Sequence, residues 1–109
     1  GYAPKFVEAM WLMLQKENLD DYLICSGQVS RLGTIAKKVF DVLGLDFDKH
    51  VRIEKTLMRN LELDIIFGDN SKAKNELGWN YDICLDQLIE TLIEDEQKYQ
   101  KFELIKVKE

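Results

Sequence analysis

Leu32, Ile35, Ala36, Val39, Phe40 and Leu43 recur at spacings of three and four residues and stop at Gly44. Side chains so spaced share one face of an α-helix, so the run predicts an amphipathic helix that must bury its stripe against another element. Ser30 stands where an N-cap belongs and Gly44 where a left-handed C-cap does. Two more stripes have the same period. Phe6, Val7, Met10, Trp11 and Leu14 follow Pro4, a residue suited to a first helical turn, and predict a helix reaching about Lys16. Leu85, Leu88, Ile89, Leu92 and Ile93 predict a long last helix with an acidic opposite face, fraying from about Phe102.

Between the helices lie short segments rich in β-branched and aromatic residues. Residues 21–25, 50–53 and 64–67 read as strands or extended pieces, residues 55–63 as an irregular loop, and Ser71 to Leu77 as two helical turns before Gly78. The expected fold class is therefore α/β in the sense of a mixed α+β lobe: helices with two or three short strands. A chain of 109 residues fits one domain, 1–109, and leaves no room for a nucleotide-binding domain beside a substrate domain. Such a set of elements suits a lobe packed against something larger. The helical pattern begins within a few residues of Gly1, with no Met start and no strand ahead of it, which reads as a cut in a longer chain.

Charge narrows the partners. A formal net charge of -5 repels nucleic acid and anionic membrane surfaces. No apolar run approaches the roughly 20 residues a bilayer requires. The first residues also lack the layout of a signal peptide. The expectation is a cytoplasmic protein with neither nucleic acid nor membrane as partner. Cys25 and Cys84 form no C-x-x-C pair and His50 is alone, so no zinc site is expected; the thiols read as buried core residues and His50 as a surface or strand-edge side chain.

The residues that would carry nicotinamide chemistry are missing. The six glycines never form G-x-G-x-x-G or G-x-x-G-x-x-G, so no dinucleotide cradle is expected. A Tyr-x-x-x-Lys pair would need Lys four residues after a tyrosine, but those positions hold Phe6, Ser26, Leu85 and Glu103. No catalytic residue is assigned. The acid clusters Asp20-Asp21 and Glu94-Asp95-Glu96 read as solvated faces, and Trp11 and Trp79 as core anchors. Arg59 permits two readings. With Glu62 it makes a surface pair at i,i+3 of little energetic weight. Held in an irregular loop, the same guanidinium offers a fork of N–H donors to a diphosphate, and the carboxylate accepts from ribose hydroxyls.

Several segments together resemble the C-terminal part of GDP-mannose 4,6-dehydratases, members of the extended short-chain dehydrogenase/reductase family. Residues 1–15, GYAPKFVEAMWLMLQ, are similar to that family's G-H/Y-A-x-D-Y-V-E-A-M-W-x-M-L-Q. Asp21 to Gly27 resembles its D-D-Y-V-I-A-T-G stretch, residues 51–69 follow the stretch containing R-P-x-E and ending at G-D, and Ser71-Lys72-Ala73-Lys74 and Leu77-Gly78-Trp79 match S-K-A-K and L-G-W. The resemblance runs from Gly1 to about Ile93.

It implies the substrate-binding subdomain of an extended enzyme of that family, without its Rossmann domain. The full-length enzyme would use NADP to dehydrate GDP-mannose to GDP-4-keto-6-deoxymannose, a lyase reaction of nucleotide-sugar metabolism. NADP and the acid-base residues would belong to the missing N-terminal Rossmann domain, which is thereby an implied partner, and the chain alone would be inactive. The GDP-sugar would meet Arg59 as the diphosphate-binding arginine and Glu62 as the ribose-facing acid of the R-P-x-E motif. Apolar surface left open by the missing domain implies self-association. Four positions depart from the pattern: Lys5 replaces Asp, Gly33 the Arg of S-V-R-E, Asn60 the Pro of R-P-x-E, and Tyr81 the Pro of L-G-W-x-P. A related GDP-deoxysugar reductase or epimerase shares the same lobe, and a stand-alone interaction module would tolerate the same departures.

Overall fold

Pro4 lies in the first turn of helix α1, Ala3–Leu14, where its missing N–H forfeits no intrahelical bond. The computed structural model describes residues 1–59 and 65–108, with side chains to residue 103. The helices after α1 are α2 (Leu32–Val42), α3 (Phe47–His50), α4 (Ser71–Leu77) and α5 (Leu85–Lys108), with a 3-10 turn at Lys55–Leu57. They fall into two compact units: residues 1–29 with 58–83, and residues 30–57 with 84–109.

In the first unit α1 packs on α4 through two alanines, Ala9 and Ala73, both fully buried. Side chains this small let two helix backbones approach closely. Trp79, 1% exposed, closes the space beside them, and Leu12, Tyr22, Ile24, Leu77 and Tyr81 pack around this core. Gly78 ends α4 in the left-handed conformation, φ +66°, which turns the chain and delivers Trp79 inward. The Lys16 ammonium donates to the Glu76 carbonyl at 2.9 Å, satisfying an acceptor in the last turn of α4.

The second unit is built on α2 and α5. Gly44, φ +67°, closes α2: its N–H donates to Asp41 O at 3.1 Å and that of Leu45 to Phe40 O at 2.9 Å, the paired bonds of a Schellman motif. At the start of α5 the Gln87 side chain accepts from the Cys84 N–H at 3.1 Å, half of a capping box. Lys38 and Asp86 join the two helices as an ion pair.

The expected strands are corrected. Among the described residues there is no sheet; the fold is helical. Residues 21–25 belong to no helix or ladder, and their backbone is met by side chains: Asn70 Nδ2 donates to Cys25 O at 2.9 Å and Lys72 Nζ to Asp21 O at 2.8 Å. Strand propensity selects an extended backbone, whereas a sheet also needs a neighbour's ladder of hydrogen bonds. His50 belongs to α3, because the Asp46 carboxylate accepts from the Asp48 N–H at 3.1 Å and starts a helix there. Residues 65–67 are exposed and unpaired in any ladder; Asp64 lies outside the described residues. At α2 the N-cap is Arg31 rather than Ser30, and α5 runs on through Phe102 to Lys108.

Three burial expectations also change. Trp11 is 60% exposed, because α1 turns Phe6, Ala9, Leu12 and Met13 inward and leaves Val7, Met10, Trp11 and Leu14 outside. Cys84 is exposed and Cys25 half-buried; both are free thiols.

Candidate functional site

Arg59 sits in the first unit, on an exposed segment that also carries Met58. It is exposed and makes no hydrogen bond or ion pair with another described residue. Glu62 and Asn60 lie outside the described residues. The Arg59–Glu62 juxtaposition expected from sequence is thus placed at one end only.

What the same unit does fix is the chain that follows. Gly68 runs so close to residues 23–25 that a Cβ on it would lie 2.7 Å from the Cys25 sulfur. Two residues on, Asn70 binds the Cys25 carbonyl, and the Asp69 carboxylate accepts from both the N–H and the hydroxyl of Ser71 at the start of α4. Those bonds hold the Asp69 carboxyl below its ordinary range. Sequence reading missed this anchor, although Asp-Asn-Ser before a helical run is a recognisable capping pattern.

The start of α4 is tied by charge. Lys72 pairs with Asp20 at 2.7 Å, lies 4.8 Å from the centre of the Tyr22 ring, and has its pKa raised chiefly by the hydrogen bond to Asp20. Asp20 is lowered in turn, first by that bond and then by the Asp21 N–H.

Two of the four departures from the family pattern meet in one contact. Lys5 pairs with Asp82 at 3.2 Å and with Glu8 at 3.5 Å, and the bond to Asp82 raises the lysine and lowers the aspartate. Next to it the Tyr81 hydroxyl accepts from the Tyr2 N–H at 2.9 Å, and Phe6 meets Trp79 and Tyr81 edge-on at 6.0 and 6.1 Å. The Trp79 indole N–H donates to the Lys5 carbonyl at 2.8 Å. This is an aromatic clamp on the start of α1. Gly33, in the first turn of α2, has nothing within 4 Å of where a side chain would begin.

Among the described residues no group of three His, Cys, Asp or Glu is placed to hold a metal ion, and no helix is long and apolar enough to cross a membrane. The glycines with positive φ, Gly27, Gly44 and Gly78, stand at three separate turns rather than together before one helix.

The family model described as GDP-mannose 4,6 dehydratase matches residues 1–92. GDP-mannose 4,6 dehydratase 1 of Arabidopsis thaliana is 35% identical over 105 residues, covering 96% of this chain and 29% of the relative. GDP-mannose 4,6 dehydratase 2 of the same plant is 35% identical over 107 residues, covering 98% and 29%. The Homo sapiens GDP-mannose 4,6 dehydratase is 29% identical over 110 residues, covering 85% and 30%. The chain therefore spans under a third of the length of these relatives. One continuous match takes in the α1 segment, Arg59 and the turn at Gly78-Trp79, three features far apart in the sequence, and on that ground the chain belongs to the GDP-mannose 4,6 dehydratase family.

Proposed function

We propose that residues 1–109 form the C-terminal, GDP-sugar-binding lobe of an NADP-dependent, cytoplasmic GDP-mannose 4,6-dehydratase of the extended short-chain dehydrogenase/reductase type. The whole enzyme converts GDP-mannose to GDP-4-keto-6-deoxymannose. The observation that carries the reading is the family match over residues 1–92, with an exposed Arg59 inside it.

Elimination of water across the sugar needs a temporary hydride acceptor and an acid-base pair. NADP supplies the first when bound, and both belong to another part of the enzyme. This chain binds and orients the nucleotide end. Arg59 offers parallel N–H donors to the diphosphate, a geometry that a lysine cannot reproduce. Glu62 accepts from the ribose hydroxyls. The nucleotide-binding domain docks on the outer face of α1, where Val7, Met10, Trp11 and Leu14 are each about 60% exposed or more, an apolar stripe too continuous to be chance scatter. Alone, the chain is inactive.

Calorimetric titration with GDP and with GDP-mannose tests the assignment, with Arg59→Ala beside the parent chain. Saturable binding that disappears in the variant supports it. Binding retained by Arg59→Ala removes Arg59 from the site, and no heat from either ligand refutes a lobe that binds by itself. Because Arg59 is exposed, the variant keeps the parent's circular dichroism, which separates lost binding from lost fold.

A further inference from the structure

The two units differ in how far each closes on itself. The first is joined across its two segments, 1–29 and 58–83, by side-chain bonds spread along their length. Tyr2 meets Tyr81, Lys5 meets Trp79, Asp20 meets Lys72 and Cys25 meets Asn70, and the Gln28 amide donates to the Ile83 carbonyl at 3.1 Å. Ala9, Ala73 and Trp79, at most 1% exposed, form the core of that unit. Each tie joins positions far apart in the sequence, so losing one loosens those beside it, and such a unit holds or fails as a whole.

The second unit has the larger share of helix and the smaller share of core. Its segments, 30–57 and 84–109, meet where α2 packs on α5, and among its described side chains only Ile89 is below a tenth exposed. Lys38 and Asp86 pair across that junction with side chains 38% and 65% exposed, where water screens the charges. A groove of about 560 Å³, lined by Ile35 and Val39 of α2 and by Leu88 and Leu92 of α5, lies open where a closed core is filled. With 11 residues α2 is about 16 Å long and flanks less than half of α5, whose 24 residues span about 36 Å. The packed helix pairs, α1 with α4, α2 with α5 and α2 with α3, each lie inside one unit.

We propose that the two units lose structure separately, and that the second opens and re-forms while the first, which carries Arg59, stays folded. The opening is a local unfolding of α2, α3 and α5, held back by a core in which one described side chain is buried. Helices released from such packing are marginal in water, so opening costs the unit most of its helix. The inference does not depend on the nucleotide-sugar reading.

Urea titration of the 109-residue chain, read by two signals, tests it. Both tryptophans belong to the first unit, and in a Trp11→Phe background the emission of Trp79 follows that unit alone. Far-ultraviolet circular dichroism follows chiefly the second unit, which holds most of the helical residues. Helicity should fall first, with the two midpoints separated by about 0.5 M urea or more. Amides of α2 should exchange about tenfold or more faster than those of Ala9 and Ala73. Ile89→Ala should lower the helicity midpoint and leave that of Trp79 in place, while Ala73→Gly should do the reverse. Where Ile89→Ala removes the first phase altogether, Val39→Ala supplies the graded shift. Coincident midpoints, or equal shifts of both signals in Ile89→Ala, mean one cooperative fold and overturn the proposal, and so does a change in Trp79 emission that precedes the loss of helicity.

Discussion

Replacing Trp79 by alanine removes the largest fully buried side chain among the described residues. A tryptophan taken wholly out of water withdraws on the order of 200 Å², worth ~5 kcal/mol as an upper bound at about 25 cal/mol/Å². Measured losses for Trp or Phe to Ala in packed cores are about 3–5 kcal/mol. The substitution also strips the Lys5 carbonyl of its 2.8 Å donor, roughly 1 kcal/mol more where the group stays partly screened from water. The expected loss is therefore about 4 kcal/mol, a large part of the roughly 5–15 kcal/mol by which domains are stable. Trp79→Phe keeps a ring against Phe6 and Tyr81 but removes the indole N–H, and should lose about 1–2 kcal/mol. Trp11→Ala, at a side chain 60% exposed, should lose no more than about 0.5 kcal/mol. Urea unfolding by circular dichroism gives the totals, and amide exchange at Ala9 and Ala73 reads the first unit locally. A loss below about 1 kcal/mol for Trp79→Ala, or equal losses at the two tryptophans, would refute the claim that Trp79 closes this core.

Two further outcomes follow from the same contacts. The carboxyls of Asp20, Asp69 and Asp82 are held below their ordinary range, so an unfolded chain binds protons that the folded one does not. Their contribution is present above the unfolded aspartate value and is lost as pH falls through the lowered native values. Lys5 and Lys72 are raised, so theirs is present below the unfolded lysine value and is lost as pH climbs through the native values. Melting temperature against pH should show a plateau with shoulders at both ends, and Lys72→Met should shrink both; a profile unaltered by that change would contradict the pairing. Gly44→Ala forces a side chain into φ +67° and should lose about 1 kcal/mol in thermal unfolding, whereas Gly33→Ala meets nothing within 4 Å and should be neutral or gain up to about 1 kcal/mol.

Helix positions were legible because their signal is local: the α2 stripe and Gly44 specify a helix and its end without reference to the rest of the chain. What covers a stripe is not local. The period in residues 6–14 announces a helix, but Ala9 and Ala73, unremarkable in sequence, decide which face of α1 turns inward, and Trp11 ends outside. The strands failed for a related reason. Residues 21–25 have the propensity for extension, yet the groups that meet their carbonyls are Asn70 and Lys72, side chains some fifty positions away that no propensity scale joins to them. Of the site, the exposure of Arg59 agrees with a loop residue, and Glu62 lies beyond the described residues.

The departures from the family pattern can now be separated by what they touch. A lysine at residue 5 alone would bring an unpaired cation to the start of α1, and a tyrosine at residue 81 alone would bring a hydroxyl in need of a partner. Here both needs are met within the unit, Lys5 by Asp82 and the Tyr81 hydroxyl by the Tyr2 N–H. These two changes are adjacent parts of one clamp on the start of α1, so their pressure falls on packing, and a change in ligand chemistry is not required to account for them. Gly33 is different: nothing lies within 4 Å of where its side chain would begin, so no packing contact accounts for the change. Among the described departures, residues 5 and 81 are accounted for by how the lobe holds together, whereas nothing in the packing explains residue 33.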